Sequence, residues 1–423
     1  MKIPELLSSK HTRTFLSFGA IQATQLLVPL LAFPWLSRKL GDEAFGILMY
    51  MCLLPPIVCL VMEWGLALGG ARAAALARDD LDALSCLLGE VFSAKIILAI
   101  VCILGALALY PFIPSAAIYP QAYFLAILLG LIRGVSPLWF YQGVGQGAKR
   151  LAIQDVLSSL VALGLIFPLI DSPENWGRYF SVTAICKGIP YLGLNLELYF
   201  IYRPRLGVRA GVGILKKTRA LFAGSFFSLI YNNGSQLVLG YFLSAAQMGI
   251  MVAVVKMIRA VGALLAPFTQ TIFPEMCVLT TLDPGKSRRI LRQSLAGLFL
   301  LMLLCSCALF FLAPYIIRIA LGPGYEAAID VFRIMIFAAP ALACDYALGA
   351  QTLVPRGLES RMIRAQALAA GVSLILAAAL PTLAGLSGAA QLPVITEILL
   401  AAGYFYIIRK RCPEALFANS SRA

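Results

Sequence analysis

Apolar stretches of about 20 residues, the length that crosses a bilayer at 1.5 Å per helical residue, alternate with short polar connections along the whole chain. The pattern predicts spans over residues 14–36, 45–68, 86–110, 118–141, 151–170, 178–202, 218–243, 247–274, 292–313, 328–353, 361–383 and 389–408. Lipid offers no partner to backbone N–H and C=O groups, so each run must be a helix. The expected fold is an all-α integral membrane protein of about twelve transmembrane helices, with no stretch left over for a soluble catalytic domain. The first apolar run begins after Lys10 and Arg13 and is long, so it reads as a retained spanning helix rather than a cleaved leader.

Composition agrees: of 423 residues, 61% are hydrophobic and 13% charged, against about 45–50% and about 25% in soluble globular chains. Mean hydropathy is +0.87. The net charge of +14 could suggest nucleic acid, but its placement points to the membrane. Basic residues gather in alternate connections: Arg72 and Arg78; Lys149 and Arg150; Arg203, Arg205, Arg209, Lys216, Lys217 and Arg219; Lys286, Arg288, Arg289 and Arg292; Arg356, Arg361 and Arg364; Arg409, Lys410 and Arg411. The opposite loops are nearly uncharged or acidic, as in Asp171-Ser-Pro-Glu174. Under the positive-inside rule, both termini are expected in the cytoplasm.

The longest basic loop, roughly 203–217, follows the sixth span and divides the chain into lobes 1–210 and 211–423. A shift of 203 residues lays Leu40…Phe45-Gly46-Ile47 over Leu243…Met248-Gly249-Ile250. Six helices per half, an even number, make the repeats parallel, related by an axis along the membrane normal.

Charges inside spans are costly and face an interior cavity or one another. Arg133, Lys187, Lys256, Arg259 and Arg333 lie deep in spans four, six, eight and ten. The deep acids are Glu63, Asp345 and Glu397. Structural pairing is the alternative for each, but five cations against three acids leave a positive interior, which suits an anionic cargo. Lys95, nearer the end of span three, is expected to snorkel to the cytoplasmic surface. Ser225, Ser228, Asn232 and Gln236 share one face of span seven, and Gln22 and Gln25 stand at equivalent depth in span one. Such faces suit glycan hydroxyls or hydrogen bonding between helices. Pro29, Pro34, Pro55, Pro56 and Pro267 are expected to interrupt spans one, two and eight.

Other motifs carry no chemistry. Gly285-Lys286-Ser287 lacks the first glycine of a phosphate loop, which Thr280 replaces, and Gly143, Gly145 and Gly147 end a helix rather than follow a strand. His11 is the only histidine and no CxxC pair occurs, so no histidine-built metal site is expected. No cofactor is expected, and proton or ion coupling stays open.

Several motifs in order resemble the polysaccharide transporter family of lipid-linked oligosaccharide flippases (Wzx-type O-antigen flippases), within the multidrug/oligosaccharidyl-lipid/polysaccharide exporter superfamily. They are Gln25…Pro29…Pro34…Leu40-Gly41…Phe45-Gly46, Glu63-Trp64-Gly65, Pro137-Leu-Trp139-Phe-Tyr-Gln142-Gly143, Asn232-Asn233…Met248-Gly249…Lys256, Pro267…Gln270…Phe273-Pro274 and Gln351…Pro355-Arg-Gly357. The resemblance implies two six-helix lobes around a central cavity in a bacterial inner membrane. It implies a cargo of undecaprenyl-diphosphate-linked glycan, moved from the cytoplasmic to the periplasmic leaflet. A glycan polymerase and a chain-length regulator would then be partners, and no nucleic acid. Arg133, Lys187, Lys256, Arg259 and Arg333 would meet the diphosphate, since Arg and Lys are natural partners of phosphate; Gln25, Asn232 and Gln236 would meet the glycan; Glu63, Asp345 and Glu397 would balance charge or couple an ion.

Three other functions fit less well. A drug/cation antiporter of the superfamily calls for an acid-dominated cavity. A lipid II flippase resembles a fourteen-helix chain. A glycan polymerase or ligase needs an acid/base pair facing water, and the short outside loops hold none.

Overall fold

The computed structural model describes residues 10–113, 116–145 and 147–416, and every regular element among them is helical. Eight helical stretches are long and apolar enough to cross a membrane. Two of these are double passes, folded at Gly41 (φ 73°) and at Ala384–Gly385, where Gly385 has φ 57°. Two further helices, Arg178–Tyr202 and residues 208–239, are as long but more polar, so the described residues hold twelve passes. We number them α1 (10–40), α2 (42–76), α3 (Leu81–Phe112), α4 (Pro120–Val144), α5 (Ala148–Leu169), α6 (Arg178–Tyr202), α7 (208–239), α8 (245–282), α9 (Pro284–Ala320), α10 (Ala327–Arg356), α11 (359–383) and α12 (386–411). They match the twelve expected spans. The largest differences are at α7, which starts ten residues early because Val208–Lys217 are helical, and at α9, where Lys286, Arg288, Arg289 and Arg292 stay helical. Hydropathy reads the lipid-facing length of a helix, not its polar extension.

Several passes are broken, though not always at proline. Pro29 and Pro34 lie inside α1 without leaving helical geometry, so they do not interrupt it as expected. Pro55 and Pro56 open the second segment of α2, just after its actual break at Cys52–Leu53. A second break falls at Trp64–Gly65. Trp64 takes the left-handed conformation (φ 43°, ψ 36°) and Gly65 follows it there (φ 73°). A Cβ on Gly65 would sit 2.8 Å from the Leu221 Cβ, so glycine permits both the turn and the approach of α7. Trp64 completes the joint by stacking on Phe222 (3.8 Å between centroids, 11°) and donating its indole N–H to the Leu215 carbonyl at 3.1 Å.

In α4, Pro137 removes a backbone donor and the helix stops at Gly134. The freed carbonyls find side chains: Gly134 accepts from Lys95 Nζ, and Val135 from Asn195 Nδ2 at 3.1 Å. Two passes contain π-helical segments, Ile230–Gly234 in α7 and Tyr346–Leu353 in α10.

The chain divides into two compact units between Phe226 and Phe227, inside α7. A shared detail links their plans. After α6, residues 203–207 cross α3, with Arg205 backbone against Gly89 and the Gly207 N–H donating to Ser93 Oγ at 2.9 Å. After α12, residues 412–416 lie along α9, where Arg292 Nε donates to the Leu416 carbonyl at 2.7 Å. Gly89 and Arg292 are 203 positions apart, the offset at which the two halves of the sequence align.

Candidate functional site

The first unit builds a charged cluster from α2 to α6. Lys187 of α6 and Asp155 of α5 form an ion pair at 2.7 Å, with 4% and 1% of their side chains exposed. The Lys187 ammonium also donates to the Asp155 carbonyl at 2.9 Å and Ser159 Oγ at 2.5 Å, and the Tyr191 hydroxyl donates to the same Asp155 oxygen. Lys95 of α3 is buried rather than snorkelling. The broken α4 turns the Gly134 carbonyl toward it, and Glu63 of α2 is the carboxylate that acts on its charge. Glu63 in turn accepts from the Cys59 thiol at 3.8 Å.

Arg133 differs from both lysines. It ends the first segment of α4, is half-buried, and acts electrostatically on Cys59, Tyr179, Lys187 and Tyr191. Among the described residues its guanidinium makes no hydrogen bond and no ion pair. Three interior cations (Lys95, Arg133, Lys187) thus face two acids (Glu63, Asp155) in this unit.

The second unit is arranged otherwise. Asp345 stands immediately before the π segment of α10 and interacts with Glu397 of α12. Both Asp345 oxygens and Glu397 Oε2 are buried without a hydrogen-bond partner. Arg259 of α8 acts on Glu397 but spends its hydrogen bonds on the α7 π segment, donating to the Asn232 carbonyl (2.9 Å) and Asn233 Oδ1 (2.9 Å). Lys256 is half-buried on α8 and has interactions of its own. Arg333 sits near the start of α10, paired with the exposed Asp330 at 3.8 Å and lying over the Phe310 ring at 5.1 Å.

Of the expected glycan contacts, Gln25 is exposed on α1. Asn232 Nδ2 donates to the Ser228 carbonyl at 2.8 Å and Gln236 Nε2 to the Asn232 carbonyl at 2.5 Å, so both serve α7, with Gln236 Oε1 left unpartnered. The structure brings Arg133 and Lys187 together in one unit, and Arg259, Asn232, Asp345 and Glu397 in the other. Asp155 escaped the sequence reading because it stands five residues after Arg150, where a charge reads as a helix end. Ser158 and Ser159, at i+3 and i+4, were the sign of a polar interior face.

Twelve helical passes with charges buried among them define a polytopic helical membrane protein. Solved structures agree on the fold. An inward-facing multidrug resistance MATE family transporter of the MOP superfamily superposes with a TM-score of 0.72 at 15% identity, covering 92% of this chain and 95% of that one. The lipid II flippase MurJ, in an inward closed conformation, gives 0.68 at 11% identity, covering 93% and 87%. In sequence, a protein of Escherichia coli strain K12 named as a candidate O-antigen transporter is 25% identical over 403 residues, 94% of this chain and 96% of the relative. One of the same name from Shigella dysenteriae is 22% identical over 389 residues, 90% and 95%. Residues 12–279 match the model of the polysaccharide biosynthesis protein family, and the chain belongs to that family. The resemblance read from the motifs is borne out.

Proposed function

We propose that the protein is a flippase that carries an undecaprenyl-diphosphate-linked glycan from the cytoplasmic to the outer leaflet of the bacterial inner membrane by alternating access. The observation that supports this reading most is the surplus of positive charge buried in the first unit of a chain of this family. An uncompensated charge inside a membrane protein is expensive, and an anionic headgroup is the partner that would justify it. The names of the relatives, O-antigen transporter and lipid II flippase, point to the same class of cargo. A glycan polymerase and a chain-length regulator would act on the product.

The orientation that goes with this reading places both termini and residues 203–217 in the cytoplasm, where the basic connections belong. The headgroup then moves outward down an inside-negative potential, which releases about 2.3 kcal/mol per net charge per 100 mV. The test is flipping of a fluorescent polyprenyl-diphosphate disaccharide in proteoliposomes. Imposing a potential negative on the face of the 203–217 loop should accelerate it. A rate that ignores potential but follows a pH gradient replaces electrophoretic drive with proton exchange, and no protein-dependent flipping overturns the reading. The Asp345–Glu397 pair favours a second reading, a cation antiporter. Uptake of a cationic dye by the same vesicles, without glycan-lipid flipping, would select it.

A further inference from the structure

Resting on the flippase reading, we propose that Arg133 is the phosphate-contacting residue of the first unit, and that Lys95 and Lys187 hold the site together without touching cargo. Donor capacity and burial separate the three cations. An ammonium group has three N–H donors. Those of Lys187 meet Asp155 Oδ1, the Asp155 carbonyl and Ser159 Oγ, so nothing is left to offer a ligand. Its charge is cancelled at 2.7 Å by a carboxylate 1% exposed. Lys95 spends one donor on the Gly134 carbonyl and is kept from cargo by burial, with 6% of it exposed and Glu63 acting on its charge.

Arg133 is the opposite case. A guanidinium has five N–H donors in a rigid planar fork, and among the described residues none of them is used. The residue lies midway along α4, at the end of a segment that the Val135–Pro137 break cuts short. That break fixes the backbone from which the side chain leaves, because Lys95 and Asn195 pin the carbonyls on its far side. Tyr179, Tyr191 and Cys59 are near enough to interact with its charge, and no carboxylate bonds it. The geometry is a half-buried fork of unspent donors, matched to two oxygens of one planar or tetrahedral oxyanion. Two sources could supply that oxyanion, the diphosphate of the lipid carrier or the carboxylate of an acidic sugar. We assign the diphosphate, which the cargo proposed above carries whatever its sugars.

The test uses the full chain in lipid nanodiscs and farnesyl diphosphate as the probe. Arg133→Gln should weaken binding at least about tenfold, equivalent to about 1.4 kcal/mol. Arg133→Lys should lose less, keeping charge without the fork. The melting temperature of Arg133→Gln should hold or rise, since no native partner is left behind. The paired variant Asp155→Leu/Lys187→Met should change affinity less than about threefold, under about 0.7 kcal/mol on the same scale. Inorganic pyrophosphate should compete with the probe and glucuronate should not. Wild-type affinity in Arg133→Gln, or a fall in its melting temperature together with its affinity, would overturn the assignment. A tenfold loss in the paired variant at unchanged melting temperature would make Lys187 a ligand and overturn the division of roles. Displacement by glucuronate but not pyrophosphate would move the site to an acidic sugar and overturn the diphosphate. A wild-type protein that binds no farnesyl diphosphate would fail the flippase reading itself, and so is distinguishable from all of these.

Discussion

The first unit answers each buried acid with a lysine, whereas the second sets two carboxylates against each other. In the first, Asp155 is locked to Lys187 and Glu63 balances Lys95, leaving Arg133 as the surplus. In the second, Asp345 and Glu397 share a site whose nearest arginine is occupied with backbone and amide oxygens of α7. Two like charges cannot both be held in a dry site without a counter-ion. Two halves built on one helical plan thus settle their buried acids differently, one by ion pairing and the other without it.

The strongest challenge to this contrast is Lys187→Met. It strands Asp155 in a dry site and should cost about 3–5 kcal/mol, read as a large fall in melting temperature in detergent. Asp155→Leu/Lys187→Met should recover much of the loss. If the single variant melts like wild type, ion pairing is not what settles Asp155. Next comes Arg259→Gln, which removes donors from the Asn232 carbonyl and Asn233 Oδ1. A cost of about 1–3 kcal/mol is expected, with faster hydrogen exchange confined to residues 228–236. Exchange that quickens instead around Glu397 would show that Arg259 serves the acids first. Trp64→Phe keeps the stack on Phe222 but loses the bond to the Leu215 carbonyl, for about 0.5–1.5 kcal/mol. The smallest effect belongs to Asp345→Asn, which relieves repulsion and should move the melting temperature by less than the equivalent of about 1 kcal/mol, in the stabilising direction. A destabilisation as large as that of Lys187→Met would erase the distinction between the units.

Most of the architecture was legible because a bilayer imposes one length and one kind of secondary structure. The charge partners were harder to read. Asp155 could not be seen as a partner of Lys187 because 32 residues and a loop separate them, and only packing decides which faces of α5 and α6 meet. Lys95 was expected at the surface because depth along its own helix is all a sequence reports; the carbonyl it reaches is released by a proline in another helix. The prolines of α1 misled in the other direction, since a proline-bearing helix can stay helical. The break came instead at Trp64–Gly65, where two successive residues adopt positive φ. Asn232 and Gln236 were read as glycan contacts, but each donates to the carbonyl four residues before it, of Ser228 and of Asn232, which the sequence does not announce.

The π segments of α7 and α10 have a mechanical consequence. A π segment is an α-helix holding one residue more than its turn needs, as at Ile230–Gly234 and Tyr346–Leu353. Passing the surplus residue one position along exchanges a single hydrogen-bond register and leaves the helix otherwise intact. It also turns the side chain passed over by about 100° and shifts it about 1.5 Å along the axis. Asp345 borders one such segment, and Gln236 lies two residues beyond the other. In the second unit, then, Asp345 and Gln236, each with an unmatched polar atom, stand where a helix can rotate them in steps without bending.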